Sequence, residues 1–246
     1  MEREKKKRKR WIITSDKFLT PEQVESLDSY LQDQRDLAIA RQNNSQPIKD
    51  FYLLHTLLET GLRLFELCNL VLSDFHGQKL NVRNGKGGKP RTILLTKGTS
   101  NRIKEWLIVR EKLGFSLEAS APLFPSRYGE KYTVRGIQKR IELIFDAVGI
   151  DKSGHSTRHT YCSNLLETCK VGLPTVKENM GHGSIATTNL YSHAIGKLED
   201  VELYSSSRFF KKDELRGRLE PRKHNDFVRA FLRNTNFKRP EPQVGT

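Results

Sequence analysis

Apolar residues recur every three or four positions along most of the chain, which is the spacing of amphipathic α-helices. Thr20 and Gln23 form a capping-box motif around Pro21, and Gly61 provides a stop signal further on. Residues 62–72 resume the helical spacing immediately after that glycine. The pattern predicts helices from residue 21 to the late thirties, from about 48 to 60, and over 62–72, 100–113 and 133–148.

Two short segments depart from the helical spacing. Residues 79–84 and 92–95 are typical of β-strands, and the glycine-rich residues 85–90 between them predict a hairpin. The expected fold class is therefore mostly α with a small antiparallel β-sheet (α+β).

The C-terminal third returns to helices with clear breaks. An amphipathic run begins near residue 154, and Gly172 and Pro174 interrupt it. A short helix over 175–180 and a last helix holding Tyr191 are expected to follow. Residues 224–237 form one more amphipathic stripe, which is expected to dock on another subunit.

Positive charge is concentrated at the two ends of the chain. The 246 residues carry a net charge of +14, of which residues 1–10 hold +5 and residues 208–246 hold +6, leaving +3 for the middle. Basic flanks of this kind favour a polyanion as partner, because binding releases condensed counterions. Solvated tails that aid solubility are the alternative.

The cysteines and the hydropathy argue for an intracellular protein. Cys68, Cys162 and Cys169 fall inside apolar helical patterns without paired spacing, which predicts buried thiols in a reducing compartment. No apolar run reaches the length of a membrane span, so a soluble protein with no membrane partner is expected.

Six polar residues carry the candidate chemistry: Arg63, Lys86, His155, Arg158, His182 and Tyr191. Two arginines can grip one phosphate through paired hydrogen bonds, and their grip tightens as negative charge grows during attack on phosphorus. A tyrosine can act as the nucleophile, a histidine as base or phosphate donor, and a lysine as general acid. No acidic cluster with two-metal spacing is visible, so a route without metal or other cofactor is expected.

Each of these residues alone has a simpler explanation. Arg63 and Glu66 lie three positions apart and can form an ordinary ion pair. His155 and His159 can be zinc ligands, and Tyr191 can be a packing tyrosine. Lys86 can be a solvated turn lysine, and His182 can be a turn histidine that bonds the backbone. The chemical hypothesis depends on all six acting together.

Four sequence blocks resemble the tyrosine recombinase (phage integrase) family, in order and with its spacing. Thr-Gly-Leu-Arg-Leu-Phe-Glu-Leu at 60–67 is similar to the first arginine box, and Gly-Lys-Gly-Gly-Lys at 85–89 to the lysine hairpin. His-Ser-Thr-Arg-His at 155–159 resembles the second arginine box. Met-Gly-His at 180–182 and Thr-Thr-Asn-Leu-Tyr-Ser-His at 187–193 resemble the nucleophile box.

The resemblance implies a transesterase that cuts one DNA strand at a time, without metal or ATP. Tyr191 would form a 3′-phosphotyrosine and release a 5′-hydroxyl, which conserves the energy of the phosphodiester bond. Arg63, Arg158 and His182 would hold the scissile phosphate, Lys86 would be the general acid, and His155 a general base or phosphate contact.

The resemblance also implies an organisation and partners. Residues 1–16 are expected to be a flexible basic arm, 17–200 the catalytic domain, and 201–246 a basic extension with a short helix. Double-stranded DNA would be the partner, bound by a homotetramer on two sites with C-terminal segments docking in trans. Such a protein would work in the cytoplasm, associated with the nucleoid.

One departure concerns DNA clamping. Family members usually carry a separate helical DNA-clamping domain of about a hundred residues before the catalytic one, whereas Arg63 follows only the basic arm and two predicted helices. The chain is then a catalytic-domain-only member, a fragment, or one whose clamp comes from another protein. A type IB topoisomerase-like enzyme and a non-catalytic DNA-binding relative are the alternative functions.

Overall fold

The computed structural model describes residues 17–83, 85, 90–167, 176 and 180. Its helices are α1 Pro21–Arg41, α2 Gln46–Thr60, α3 Leu64–Asn69, α4 Lys97–Lys112, α5 Val134–Ala147 and α6 His155–Glu167. The strands are β1 Phe75–His76, β2 Lys79–Val82 and β3 Arg91–Leu94, which form an antiparallel sheet in the order β1-β2-β3. The expected fold class, mostly α with a small antiparallel sheet, is confirmed.

Local capping explains where the helices begin and end. Thr20 Oγ1 accepts a hydrogen bond from the Gln23 backbone N–H while the Gln23 side chain accepts one from Thr20 N–H, so the predicted capping box is present. Thr96 and Thr133 cap α4 and α5 in the same way through one side-chain bond each. Gly61 ends α2 at φ +61°, a left-handed conformation that favours glycine.

Helix α2 is the centre of the core. It packs against α1, α4 and α6, and every residue from Ile48 to Thr60 is buried. Around it, Trp106 of α4 stacks on Phe124 at 5.7 Å between ring centroids and donates a hydrogen bond from Nε1 to the Leu123 carbonyl at 2.7 Å. The core therefore surrounds α2 on all sides, whereas the sequence pattern predicts a helix with one apolar face.

The sheet differs from the prediction in the number of its strands and in their bounds. Strand β1 was not predicted, because two residues are too short to show an alternating pattern. Strand β2 ends two residues earlier than predicted, and β3 has the predicted length but begins and ends one residue earlier. The pair between Val82 and Arg91 is the last one before the loop. That pairing fixes the ends of the loop beside α3. None of the helices within the described residues has the length and apolar character needed to cross a bilayer.

Candidate active site

Arg63 lies in the corner between α2 and α3. The left-handed Gly61 reverses the chain, and the Gly61 N–H donates to the Leu57 carbonyl at 3.0 Å. Leu62 and Leu64 on either side are buried, so they fix the backbone of the arginine between them. Arg63 is extended and its side chain keeps 24% of its surface exposed. The corner thus directs one guanidinium outward from a rigid base.

Glu66 is the buried anchor of this corner. Its side chain is 1% exposed, and it accepts hydrogen bonds from the Arg63 backbone N–H at 2.8 Å and from Arg63 Nη1 at 2.8 Å. Arg91 of β3 donates to both carboxylate oxygens, at 2.7 and 2.8 Å. Burial alone would raise the pKa of Glu66, but these bonds outweigh it and lower the pKa to about 2. The carboxylate is therefore ionised at neutral pH.

Arg158, the fourth residue of α6, brings a third guanidinium to the same place. It is 7% exposed, and its two terminal nitrogens donate to the backbone carbonyls of Gly61 and Met180. Burial, together with the positive charges of Arg63 and Arg91, lowers its pKa to about 10. The group remains a cation at neutral pH. We call Arg63, Arg91, Arg158 and Glu66 the arginine cluster.

Close packing of α6 against α2, and of Gly154 against Leu64 of α3, assembles the cluster. A Cβ atom placed on Gly61 would lie 2.3 Å from Tyr161 Cδ1, so the ring of α6 fills the space that a side chain at Gly61 would need. At the start of α6, a Cβ on Gly154 would lie 3.1 Å from Ile141 Cδ1 and 3.4 Å from Leu64 Cδ1. The segments predicted as the two arginine boxes therefore lie close together, because these two glycines leave room for the neighbouring side chains.

Two histidines follow on α6. His155 is exposed at the first helical position, and His159 is half-buried one turn later. The pKa of His159 is lowered, first by burial and then by the nearby charges of His155, Arg158 and Lys17. The ring of His159 therefore lies in the positive surroundings of Arg158. As for the zinc alternative, the residues that the structure describes contain no group of three or more possible metal ligands.

The structure describes three of the six predicted site residues and brings two of them, Arg63 and Arg158, together at the α2–α3 corner. Arg63 and Arg158 are close enough for their charges to affect each other, and His155 starts the helix that carries Arg158. Lys86, His182 and Tyr191 lie outside the described residues. Cys68 and Cys162 are buried as predicted, and Cys169 also lies outside the described residues.

Neither the role of Arg91 nor the sharing of Glu66 between two arginines was predicted from the sequence. The predicted ion pair between Arg63 and Glu66 is present, and the carboxylate is shared with a second arginine, Arg91. Arg91 and Glu66 are 25 positions apart on different elements, so no local spacing indicates the contact. An arginine at the start of a strand, just beyond a glycine-rich loop, was the available signal.

Comparison with known families explains this arrangement. The sequence pattern of the phage integrase family matches residues 17–196. The chain belongs to this family. Among sequenced members, a tyrosine recombinase XerC from Corynebacterium glutamicum is 32% identical over 160 residues, which cover 64% of this chain and 51% of that protein. A tyrosine recombinase XerD from Listeria innocua is 33% identical over 190 residues, covering 74% and 64%.

The fold agrees with solved phage integrase family structures. The XerH site-specific recombinase, in a pre-cleavage complex bound to its difH substrate, superimposes with a TM-score of 0.57 and 23% identity. The match covers 83% of this chain and 54% of that one. The chain spans about half the length of the XerC protein that it matches. The likeness to XerH concerns the fold.

Proposed function

We propose that the chain is a site-specific DNA recombinase or integrase that breaks and rejoins DNA strands through a 3′-phosphotyrosine intermediate. The observation that carries the proposal is the arginine cluster, in which Arg63 and Arg158 converge from two separate elements of a phage integrase family chain. Two guanidinium groups held by a rigid corner match the geometry of one phosphodiester.

The charges of the cluster suit attack on phosphorus. Three guanidinium groups and one carboxylate leave a net charge of +2 within the cluster. A bound phosphodiester carries one negative charge, and the five-coordinate transition state carries a second. Fixed cations in a corner partly shielded from water therefore stabilise the transition state more than the bound substrate. This difference is what accelerates a reaction.

The remaining steps are assigned from the family resemblance. The Tyr191 hydroxyl attacks phosphorus, its proton passes to a base such as His155, and the bond from phosphorus to the 5′-oxygen breaks. Lys86 protonates that oxygen, and His182 donates to a phosphate oxygen. The phosphodiester becomes a phosphotyrosine with the same number of ester bonds, so a 5′-hydroxyl can reverse the step without ATP.

Double-stranded DNA is the proposed substrate and partner. The XerH structure is described as bound to its difH substrate, which supports DNA as the ligand of this fold, and the basic ends of the chain support it independently. The proposed assembly is a homotetramer on two DNA sites, with the stripe at 224–237 docking on a neighbouring subunit. An accessory DNA-clamping protein belongs to the same proposal.

Covalent trapping on DNA tests the proposal. Nicked duplexes tiled across the DNA that flanks the gene are incubated with the chain in the presence of EDTA, because the proposed route uses no metal. The unaltered chain is expected to form a covalent adduct, visible as a band that survives denaturation. Tyr191→Phe is expected to abolish the adduct and to keep DNA binding, because only the nucleophilic oxygen is removed.

Adducts that persist in Tyr191→Phe would disprove the assigned nucleophile. Binding without any adduct from the unaltered chain would favour a non-catalytic DNA-binding relative. Relaxation of supercoiled DNA without exchange of strands would favour a type IB topoisomerase-like enzyme.

A further inference from the structure

Arg91 connects the hairpin to the other residues of the arginine cluster. It is the first residue of β3 and pairs with Val82, so it lies directly at the base of the glycine-rich loop. Its side chain is 8% exposed, and it meets the Glu66 carboxylate end-on, with one hydrogen bond to each oxygen. A bidentate contact of this kind fixes both partners in orientation.

Glu66 has two opposing effects on Arg63. It orients Arg63 through the backbone N–H and Nη1, both at 2.8 Å. A buried carboxylate facing a single arginine would also cancel the positive charge of that arginine and compete with a phosphate for it. Because Arg91 covers both oxygens of the same carboxylate, the negative charge of Glu66 is balanced from the other side.

We propose that Arg91 is a positioning residue for the scissile phosphate: it balances Glu66, so that the carboxylate orients Arg63 without neutralising it. This inference rests on the proposed function. With Arg91 in place the cluster carries +2, and without it +1. The missing charge matters most when the phosphate gains its second negative charge, so the loss falls on the cleavage rate more than on DNA affinity.

The first test measures single-turnover cleavage of the nicked duplex that the unaltered chain traps. Arg91→Gln is expected to slow cleavage by about tenfold to a hundredfold, somewhat less than the loss of a direct transition-state donor, while DNA affinity changes by less than about threefold. Arg91→Lys keeps the charge without the bidentate geometry and is expected to recover about half of that loss on a logarithmic scale.

Arg83→Gln is the matched control. Arg83 flanks the other strand of the same hairpin and pairs with Asp74 at 2.6 Å, away from Glu66. Removing it breaks an arginine–carboxylate pair of the hairpin without changing the charge of the cluster. Cleavage by Arg83→Gln is expected to stay within about twofold of the unaltered chain, because the buried Asp74 keeps its hydrogen bond from the Val71 N–H at 2.9 Å and the charge of the cluster is unchanged.

Two further measurements distinguish a role of Arg91 in balancing the charge of Glu66 from a role only in stabilising the fold. On a duplex with a neutral methylphosphonate at the scissile position, the rate ratio between the unaltered chain and Arg91→Gln is expected to shrink to about threefold or less, because one charge has been removed from the transition state. The double variant Glu66→Gln/Arg91→Gln restores +2 and is expected to cleave the phosphodiester about tenfold faster than Arg91→Gln alone.

If Arg91→Gln lost the same factor in cleavage rate on the phosphodiester and on the methylphosphonate duplex, the inference would be overturned. A double variant that cleaves more slowly than Arg91→Gln would overturn it too. A misfolded Arg91→Gln chain would show both of these results, and Arg91→Lys would then decide the matter through the same two-substrate comparison. Failure of the unaltered chain to form any adduct would overturn the proposed function itself, and the inference with it.

Discussion

At the scale of single residues, the site depends on one carboxylate that stays charged while nearly out of contact with water. Burial opposes the ionised form of Glu66, and the hydrogen bonds from Arg91 and Arg63 more than offset that cost, which lowers its pKa to about 2. A protonated Glu66 would release Arg63 from one of its bonds. Protonation of Glu66 would therefore affect both the orientation of Arg63 and the stability of the fold.

The lowered pKa predicts a specific acid sensitivity. Because the pKa of Glu66 falls from the ordinary 4.5 to about 2 on folding, its ionised form stabilises the fold fully above about pH 4.5, and this contribution is lost as the pH falls toward 2. Urea unfolding of the unaltered chain and of Glu66→Gln should show a stability difference that shrinks between pH 5 and pH 2.5, about the span of that titration.

Asp28 also has a pKa lowered to about 2, but it is common to both proteins and cancels in the difference. A stability difference that stays constant over this pH range would mean that Glu66 does not titrate as an anchored carboxylate.

At the scale of elements, the central feature is that α2 buries polar groups on every side. Their partners come from three other helices. His55 Nε2 lies 3.2 Å from Asp28 Oδ1 of α1, Arg102 Nε of α4 lies 3.1 Å from Glu59 Oε1, and Arg140 of α5 pairs with Asp50. The buried carboxylates Asp50 and Glu59 of α2 are thereby paired with arginines, which allows a helix with polar residues to form the core.

The local structure of α2 could be predicted from the sequence, but its buried ion pairs could not. The apolar positions of α2, its stop at Gly61 and the placement of Arg63 at the next helix start follow from local spacing and from the conformational preferences of glycine. The buried ion pairs join residues up to 90 positions apart, as Asp50 and Arg140 are, and no periodicity encodes them. The contact between Arg91 and Glu66 escaped prediction for the same reason.

The packing of α6 against the end of α2 leads to a prediction on Gly61. Gly61→Ala is expected to cost about 1 kcal/mol of unfolding free energy from the left-handed backbone, plus about 1–3 kcal/mol because the new Cβ overlaps Tyr161. Gly77→Ala is the matched control, since Gly77 has φ +58° and nothing within 4 Å of the added Cβ. Urea unfolding compares the two variants with the unaltered chain.

Equal losses in Gly61→Ala and Gly77→Ala would show that α6 does not press on Gly61. A larger loss at Gly61 is also expected to slow cleavage, because Arg158 binds the Gly61 carbonyl.

At the scale of the whole molecule, charge is divided between a nearly balanced body and two basic ends. The six predicted site residues lie in four sequence blocks. Each block alone is common, but their order along the chain is unusual and identifies the family. Fold and family were therefore predictable from the sequence, while the electrostatic balance within the cluster was not. Under the proposed function, the basic ends would contribute phosphate contacts, which position a protein on DNA without selecting its sequence.

Deleting residues 1–10 is expected to weaken DNA binding and to flatten its salt dependence. Each phosphate contact contributes about 0.9 to the slope of log affinity against log salt concentration, and this segment holds seven lysines and arginines. Binding to duplex DNA from 50 to 200 mM salt is expected to show a slope smaller by about 3 to 6.

Deleting residues 240–246 serves as control, because this segment is of similar length and has no lysine or arginine. An unchanged slope after removal of residues 1–10 would mean that this arm does not touch the phosphates.

The two carbonyl partners of Arg158 have a consequence for how the protein is made. One partner lies 97 positions before the arginine and the other 22 positions after it. During synthesis, a nascent chain that has emerged from the ribosome only as far as α6 can already join Arg63, Glu66 and Arg91, but it lacks the Met180 carbonyl that holds Arg158 in place. Arg158 therefore gains its second carbonyl partner only after residue 180 has left the ribosome.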